Sequence, residues 1–269
     1  MDFIQSIFLA IIEGLTEYLP ISSTAHMIFA SSYYGIQEDD FVKLFQVSIQ
    51  FGAILAVVAL YWRKFLDFSK FSFYVKLACA VVPALLLGYL FDDLIDDALG
   101  NPIPIAIVLI VGGFVLLFID RFFKNPEVYT EEQITLKKAI TIGFWQCLAM
   151  MPGTSRAAAS IIGGMQQKLT RENAAEFSFF LAVPTMAAVT VYSVFVKTYH
   201  QTGLKGYELL MQSNDNIKMF LVGNVIAFVV AIVAIKGFIG VIKKYGFKPW
   251  GYYRIVVGAL LLAYFSINK

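Results

Sequence analysis

Six stretches of this chain run for about twenty residues with few charged side chains: 42–62, 74–91, 103–119, 175–198, 218–240 and 252–267. Backbone without water around it must satisfy its own polar groups. A helix of that length does so while crossing a hydrocarbon core of about 30 Å. The chain therefore reads as an all-α integral membrane protein, one polytopic domain over residues 1–269, with the bilayer as its surroundings. Composition agrees: 59% of residues are hydrophobic and 15% charged, against about 25% charged in soluble domains. A net charge of +2 with no basic run argues against a nucleic-acid partner. Cys79 and Cys147 lie far apart in apolar runs and read as packing thiols, not a disulfide. Met1-Asp2 leads into the first apolar stretch without a basic region, and no small-residue cleavage site follows. That stretch is expected to be a retained membrane segment and not a cleaved signal.

Two further regions are apolar but interrupted. Pro20 and "SST" divide 3–34, and "PGTSR" (Pro152 to Arg156) divides 137–168. Proline removes a backbone donor and clashes with the preceding turn, so each half-segment is too short to span alone. The expectation is two helix–break–helix hairpins, each entering and leaving on one side of the membrane. Loop charges set the sides. Arg63, Lys64, Lys70 and Lys76, and later Lys243, Lys244 and Lys248, mark cytoplasmic loops, whereas Asp92, Asp93, Asp96 and Asp97 mark an external one. The first hairpin then dips in from outside and the second from the cytoplasm, so the breaks point at each other. An offset of 132 residues lays Pro20 on Pro152, Ser23 on Ser155 and Phe45 on Phe177. An inverted-topology repeat is expected, with halves of roughly 1–120 and 121–269; such folds place sites near the midplane on broken helix ends.

The breaks carry the chemistry. Glu13 and Glu17 are one helical turn apart on one face, and carboxylates at that depth are costly unless they line a cavity or meet a counter-charge. Two side by side repel, so a hard divalent cation such as Mg²⁺ or Ca²⁺, or Arg156, must compensate them. Arg156 follows a glycine-containing break where a restarting helix presents free N–H groups, a combination that grips phosphate oxygens. Ser22 and Thr24 read as backbone caps, and Ser23 and Ser155 as either caps or ligand contacts. His26, close to Ser23, reads as an ordinary histidine or as an acid, base or phosphate ligand. The "GG" pairs at 112–113 and 163–164 read as helix packing, and Glu172 and Glu176 beside Arg171 as a solvated helix start.

"EGLTEYLPISSTAH" (Glu13 to His26), "PGTSR" and "EFSFFLAVP" (Glu176 to Pro184) together resemble the bacitracin-resistance type of undecaprenyl-diphosphate phosphatase, over essentially the whole chain. The second motif departs from the family pattern, with Ala157 in place of a serine and Ser160 in place of a threonine. The resemblance implies a multi-pass enzyme of the bacterial inner membrane that removes the terminal phosphate of undecaprenyl diphosphate and regenerates the lipid carrier for peptidoglycan synthesis. It further implies a divalent cation on Glu13 and Glu17 and a site facing the periplasm. The catalytic residues it implies are Glu13, Glu17, Ser23 and His26, with a phosphate site at Ser155 and Arg156 that takes in Gly153 and Thr154 of the same motif. Ser23 or a metal-activated water is the nucleophile. A homodimer stays open. The rival reading is a secondary transporter or flippase for prenyl phosphate lipids, since inverted repeats and buried carboxylates serve transport too.

Overall fold

The computed structural model describes residues 1–267. Asp2 caps helix α1 (Phe3–Thr16) and Ser22 caps α2 (Ser23–Tyr33), forming a first hairpin whose arms reach about 21 Å and 16 Å, short of a bilayer core. Asp39 accepts from two N–H groups to start α3 (Asp40–Leu60), which a short α4 (Trp62–Phe65) follows. Helix α5 (Phe71–Leu90), the acidic α6 (Asp92–Leu99) and α7 (Pro102–Phe122) complete the first half. Thr135 caps α8 (Leu136–Gln146). A 3₁₀ turn (Cys147–Met150) and the break then lead to α9 (Arg156–Gln166), the second short hairpin. Helices α10 (Arg171–Val191, continued by a π turn to Val196), α11 (Gly206–Met211), α12 (Asn214–Tyr245) and α13 (Lys248–Ile267) follow.

Six of these helices are long and apolar enough to cross a membrane: α3, α5, α7, α10 with its π turn, α12 and α13. They coincide with the six apolar stretches read from the sequence. Cys79 and Cys147 are free.

Ion pairs and bridges at the loops place the hairpin bases on opposite faces. On one face the N-terminal amine lies 3.7 Å from Asp39, Thr202 donates to Asp40, and Lys197 pairs with Asp96 of α6 at 2.6 Å. On the other, Lys64 pairs with Glu131 at 2.7 Å, and Val128 bridges Leu169 at the base of the α8–α9 hairpin. Arg171 pairs with Asp120 and Glu172 with Lys243, so the start of α10 is tied to neighbouring helices as well as solvated.

Each hairpin packs against the opposite half of the chain. Helix α1 lies on α12 and α8 lies on α5, while α7 packs along α13 and α3 against α10. Glycine makes the first two crossings close. A Cβ on Gly14 would come within 2.7 Å of the Ala227 carbonyl, and one on Gly143 within 2.1 Å of the Ala80 carbonyl. We expect Gly143→Ala to force α8 off α5 and destabilise the protein by about 1–3 kcal/mol. Gly237→Ala on α12, with nothing within 4 Å of the added carbon, should be neutral or stabilising; thermal unfolding in detergent compares them.

Candidate active site

Glu13 and Glu17 sit at the end of α1, both buried. The helix stops at Glu17, whose N–H still bonds the Glu13 carbonyl at 2.9 Å. Pro20 in the following turn keeps the helix from continuing. The two oxygens of Glu17 are divided between the two hairpins. Oε2 accepts from the Ser23 hydroxyl at 2.5 Å, across the first break, and Oε1 accepts from Arg156 Nη2 at 2.9 Å, from the second.

Arg156 is the first residue of α9. Its Nη1 donates to the Ser178 carbonyl at 2.8 Å and Oγ at 3.3 Å, and its guanidinium lies 5.7 Å from the centre of the buried Tyr18 ring. Ser160 Oγ donates to the Arg156 carbonyl and meets Ser178 Oγ at 2.7 Å, so two hydroxyls from α9 and α10 fix the arginine's course. Arg156 Nε is buried without a partner. It is a donor free to take an anion's oxygen.

Both short helices restart from a serine in the left-handed region, Ser22 at φ 68° and Ser155 at φ 75°. Such a conformation costs roughly 1–3 kcal/mol for a residue with a side chain. Each offsets part of that by accepting from the helix, Ser22 from Ala25 N–H and Ser155 from Ala158 N–H. Ser22 and Ser155 thus share the capping role, two residues after Pro20 and three after Pro152, whereas the offset of 132 pairs Ser155 with Ser23. Ser155 Oγ also donates to the Leu19 carbonyl at 3.5 Å, a direct stitch between the breaks. At the start of α9 the Ala158 N–H is taken by Ser155 Oγ, and those of Arg156 and Ala157 lack intrahelical acceptors by helix geometry.

Both oxygens of Glu13 are buried without a hydrogen-bond donor, and its carboxyl lies close enough to interact with that of Glu17. An unpartnered buried carboxylate is costly and calls for a cation or a proton. No group of three or more His, Cys, Asp or Glu forms a metal cluster among the described residues. Two carboxylates and the Ser23 hydroxyl nonetheless make an all-oxygen set, and Mg²⁺ commonly takes one or two carboxylates, with water and substrate phosphate completing its shell. The residues present fit a hard divalent cation.

Three predicted residues lie to one side. His26 accepts no contact from Ser23 or the glutamates: Nδ1 meets the Ser22 carbonyl at 2.8 Å, and Nε2 meets the Tyr253 hydroxyl at 2.9 Å beneath a stacked ring. A carbonyl only accepts, so Nδ1 carries the proton. Gly153, at φ 92°, and Thr154 commit their carbonyls to Arg254, at 2.7 and 2.9 Å. The Thr154 N–H bonds Met151. A cavity of about 570 Å³ begins at Thr24, Met27 and Ile28 of α2 and extends to Asp96 of α6 and Lys197.

Sequence reasoning passed over Ser178, Tyr18 and Arg254. Ser178 stands inside "EFSFFLAVP", and its one hydroxyl in an aromatic helix was the available signal. Arg254 gave a stronger one, an arginine within an apolar stretch, where a charge needs a specific partner.

The chain matches a family model described as bacitracin resistance protein BacA over residues 6–260. It is 51% identical over 263 residues to an undecaprenyl-diphosphatase of Flavobacterium johnsoniae, covering 97% of this chain and 96% of that protein. It is 51% identical over 269 residues to one of Flavobacterium psychrophilum, covering 100% and 98%. It is 44% identical over 264 residues to one of Bdellovibrio bacteriovorus, covering 97% and 95%.

Removing one partner of a buried ion pair strands the other. Arg156→Ala should therefore cost about 3–5 kcal/mol of stability, and adding Glu17→Gln should recover part of the loss. A double-mutant cycle by thermal unfolding reads the coupling, expected at about 0.5–3 kcal/mol.

Proposed function

The chain belongs to the bacitracin resistance protein BacA family, and from that premise we propose that it hydrolyses the terminal phosphate of undecaprenyl diphosphate at the junction of the two broken hairpins. The products are undecaprenyl phosphate, the lipid carrier of peptidoglycan synthesis, and inorganic phosphate. The observation that carries the assignment of residues is Glu17 bonded at once to Ser23 and Arg156, which joins a hydroxyl, a base and a phosphate-binding cation in one buried cluster.

In this account Arg156, with its free Nε and the first N–H groups of α9, receives the terminal phosphate and stabilises charge on its equatorial oxygens. Ser160 and Ser178 hold the guanidinium in place. Ser155 holds the two breaks together. The 2.5 Å bond from Ser23 to Glu17 favours Ser23 as the attacking group. Its Oγ bonds the terminal phosphorus as its proton passes to Glu17, and the bond from phosphorus to the bridging oxygen breaks, releasing the lipid monophosphate. Water then attacks the phosphoserine, Ser23 regains its proton, and inorganic phosphate leaves. His26, one helical turn beyond Ser23, is assigned to the leaving lipid phosphate as an imidazolium: Nδ1–H stays on the Ser22 carbonyl, and Nε2, once protonated, turns from the Tyr253 hydroxyl to donate to the departing oxygen. A Mg²⁺ or Ca²⁺ ion held by Glu13 and Glu17 would supply charge neutralisation for both carboxylates and diphosphate when bound.

We read the crossed packing of α1 on α12 and α8 on α5, with a glycine at each crossing, as an inverted-topology repeat. The lysine-rich face around Arg63, Lys64 and Lys70 is assigned to the cytoplasm by the positive-inside rule. This opens the cavity between α2 and α6 toward the periplasm of a bacterial inner membrane. No observation favours the transporter reading over hydrolysis.

Purified protein in detergent is expected to release phosphate from undecaprenyl diphosphate, with the rate falling on chelation. Glu17→Gln and Arg156→Lys should each lower kcat more than tenfold, the second because lysine cannot reproduce the guanidinium fork. Wild-type turnover in a folded variant would remove that residue from the site. Acid quenching with substrate labelled in the terminal phosphate should trap label on Ser23; rapid turnover without trapped label, and full activity of Ser23→Ala, would assign the attack to water.

A further inference from the structure

Arg254 is fully buried in α13 and contacts no carboxylate among the described residues. All its hydrogen bonds go to backbone carbonyls. Nε donates to Leu109 at 3.1 Å, Nη1 to Pro20 at 3.0 Å and Thr154 at 2.9 Å, and Nη2 to Gly153 at 2.7 Å and Val108 at 3.4 Å. A guanidinium has five N–H groups, so the five acceptors use its full capacity. Three of them belong to the breaks, one from the first and two from the second; the other two belong to α7.

Break carbonyls at this depth have no helical partner, and leaving one unsatisfied costs on the order of 1–3 kcal/mol. One side chain satisfies three of them and ties both breaks to α7. Pro20 is three residues from Glu17 and from Ser23, and Thr154 is next to Ser155 and two residues before Arg156. Whatever fixes Pro20 relative to Thr154 therefore fixes the Glu17–Ser23 half of the site relative to the Ser155–Arg156 half. The chain makes room for this device at Gly112, where an added Cβ would stand 2.1 Å from Arg254 Nη2 and 2.7 Å from its central carbon. The first glycine of the 112–113 pair thus accommodates a guanidinium, while the second serves the expected helix packing, with Gly251 and Ile255 of α13 against it.

We propose that Arg254 is a positioning residue for phosphoryl transfer: a buried cationic pin that sets the spacing of the two hairpin breaks without touching substrate. The inference rests on the hydrolytic reading above and adds to it a residue outside both motifs. Lysine keeps the charge but offers three donors from one point and cannot bridge five carbonyls. Gly112→Ala leaves Arg254 in the sequence but takes its space.

The test compares wild type, Arg254→Lys, Gly112→Ala and the control Gly240→Ala, whose added carbon meets nothing within 4 Å. Each is purified as a monodisperse peak in detergent and assayed with undecaprenyl diphosphate for kcat and KM per folded molecule, with the melting temperature recorded. Positioning predicts kcat at least tenfold lower in Arg254→Lys and in Gly112→Ala, with KM within about threefold of wild type and Gly240→Ala unchanged. A wild-type kcat in the folded fraction of either variant, whatever its yield or melting temperature, overturns the proposal and leaves Arg254 a purely structural residue. Failure of the wild type to release phosphate would instead overturn the hydrolytic reading, so the two failures are distinguishable.

Discussion

The contact on which the rest depends is the buried ion pair between Glu17 and Arg156. Neither group can be left alone where it lies: each would be a charge in a medium that solvates it poorly, at a cost of several kcal/mol. Glu17 comes from one hairpin and Arg156 from the other, so the penalty is relieved only when the two breaks face each other. In the hydrolytic reading proposed above, the same pair also serves recognition, because its guanidinium, the adjoining hydroxyl and the helix start are the groups an anionic phosphate would displace or recruit.

Bringing two interrupted helices tip to tip inside a bilayer raises a second problem, the backbone groups exposed at each break. Ser22 and Ser155 cap the restarting helices from strained conformations, Ser155 reaches across to Leu19, and Arg254 collects the carbonyls that remain. Glycines at 14 and 143 then let the hairpins sink against the long helices of the opposite half. Polar chemistry at the centre is thus supported by close packing around it, and few of these parts would tolerate a larger side chain.

Much of this was legible in the residues themselves. Six apolar stretches became six long helices because length and apolarity decide the matter in lipid, with little competition from tertiary context. Pro20 and Pro152 announced the breaks, and buried carboxylates opposite an arginine announced the junction. What the sequence did not disclose depends on backbone geometry. The capping serine stands two residues after Pro20 but three after Pro152, a difference in backbone path that neither break announces in its residue types. Ser178 became an arginine ligand through the rotation of α10, which periodicity in an aromatic helix does not set. His26 turned to Tyr253, a partner 227 positions away, a contact that no local pattern foretells. The orphaned oxygens of Glu13 are visible only once every neighbour is in place.

The most direct test of the central claim is the affinity for a prenyl diphosphate whose bridging oxygen is replaced by methylene, so that binding is read without turnover. If the junction of the two breaks is the phosphate site, Arg156→Lys should bind this analogue more than tenfold more weakly than wild type while melting within a few degrees of it. Equal affinity in a folded Arg156→Lys protein would mean that the diphosphate lies elsewhere and that the ion pair serves the fold alone.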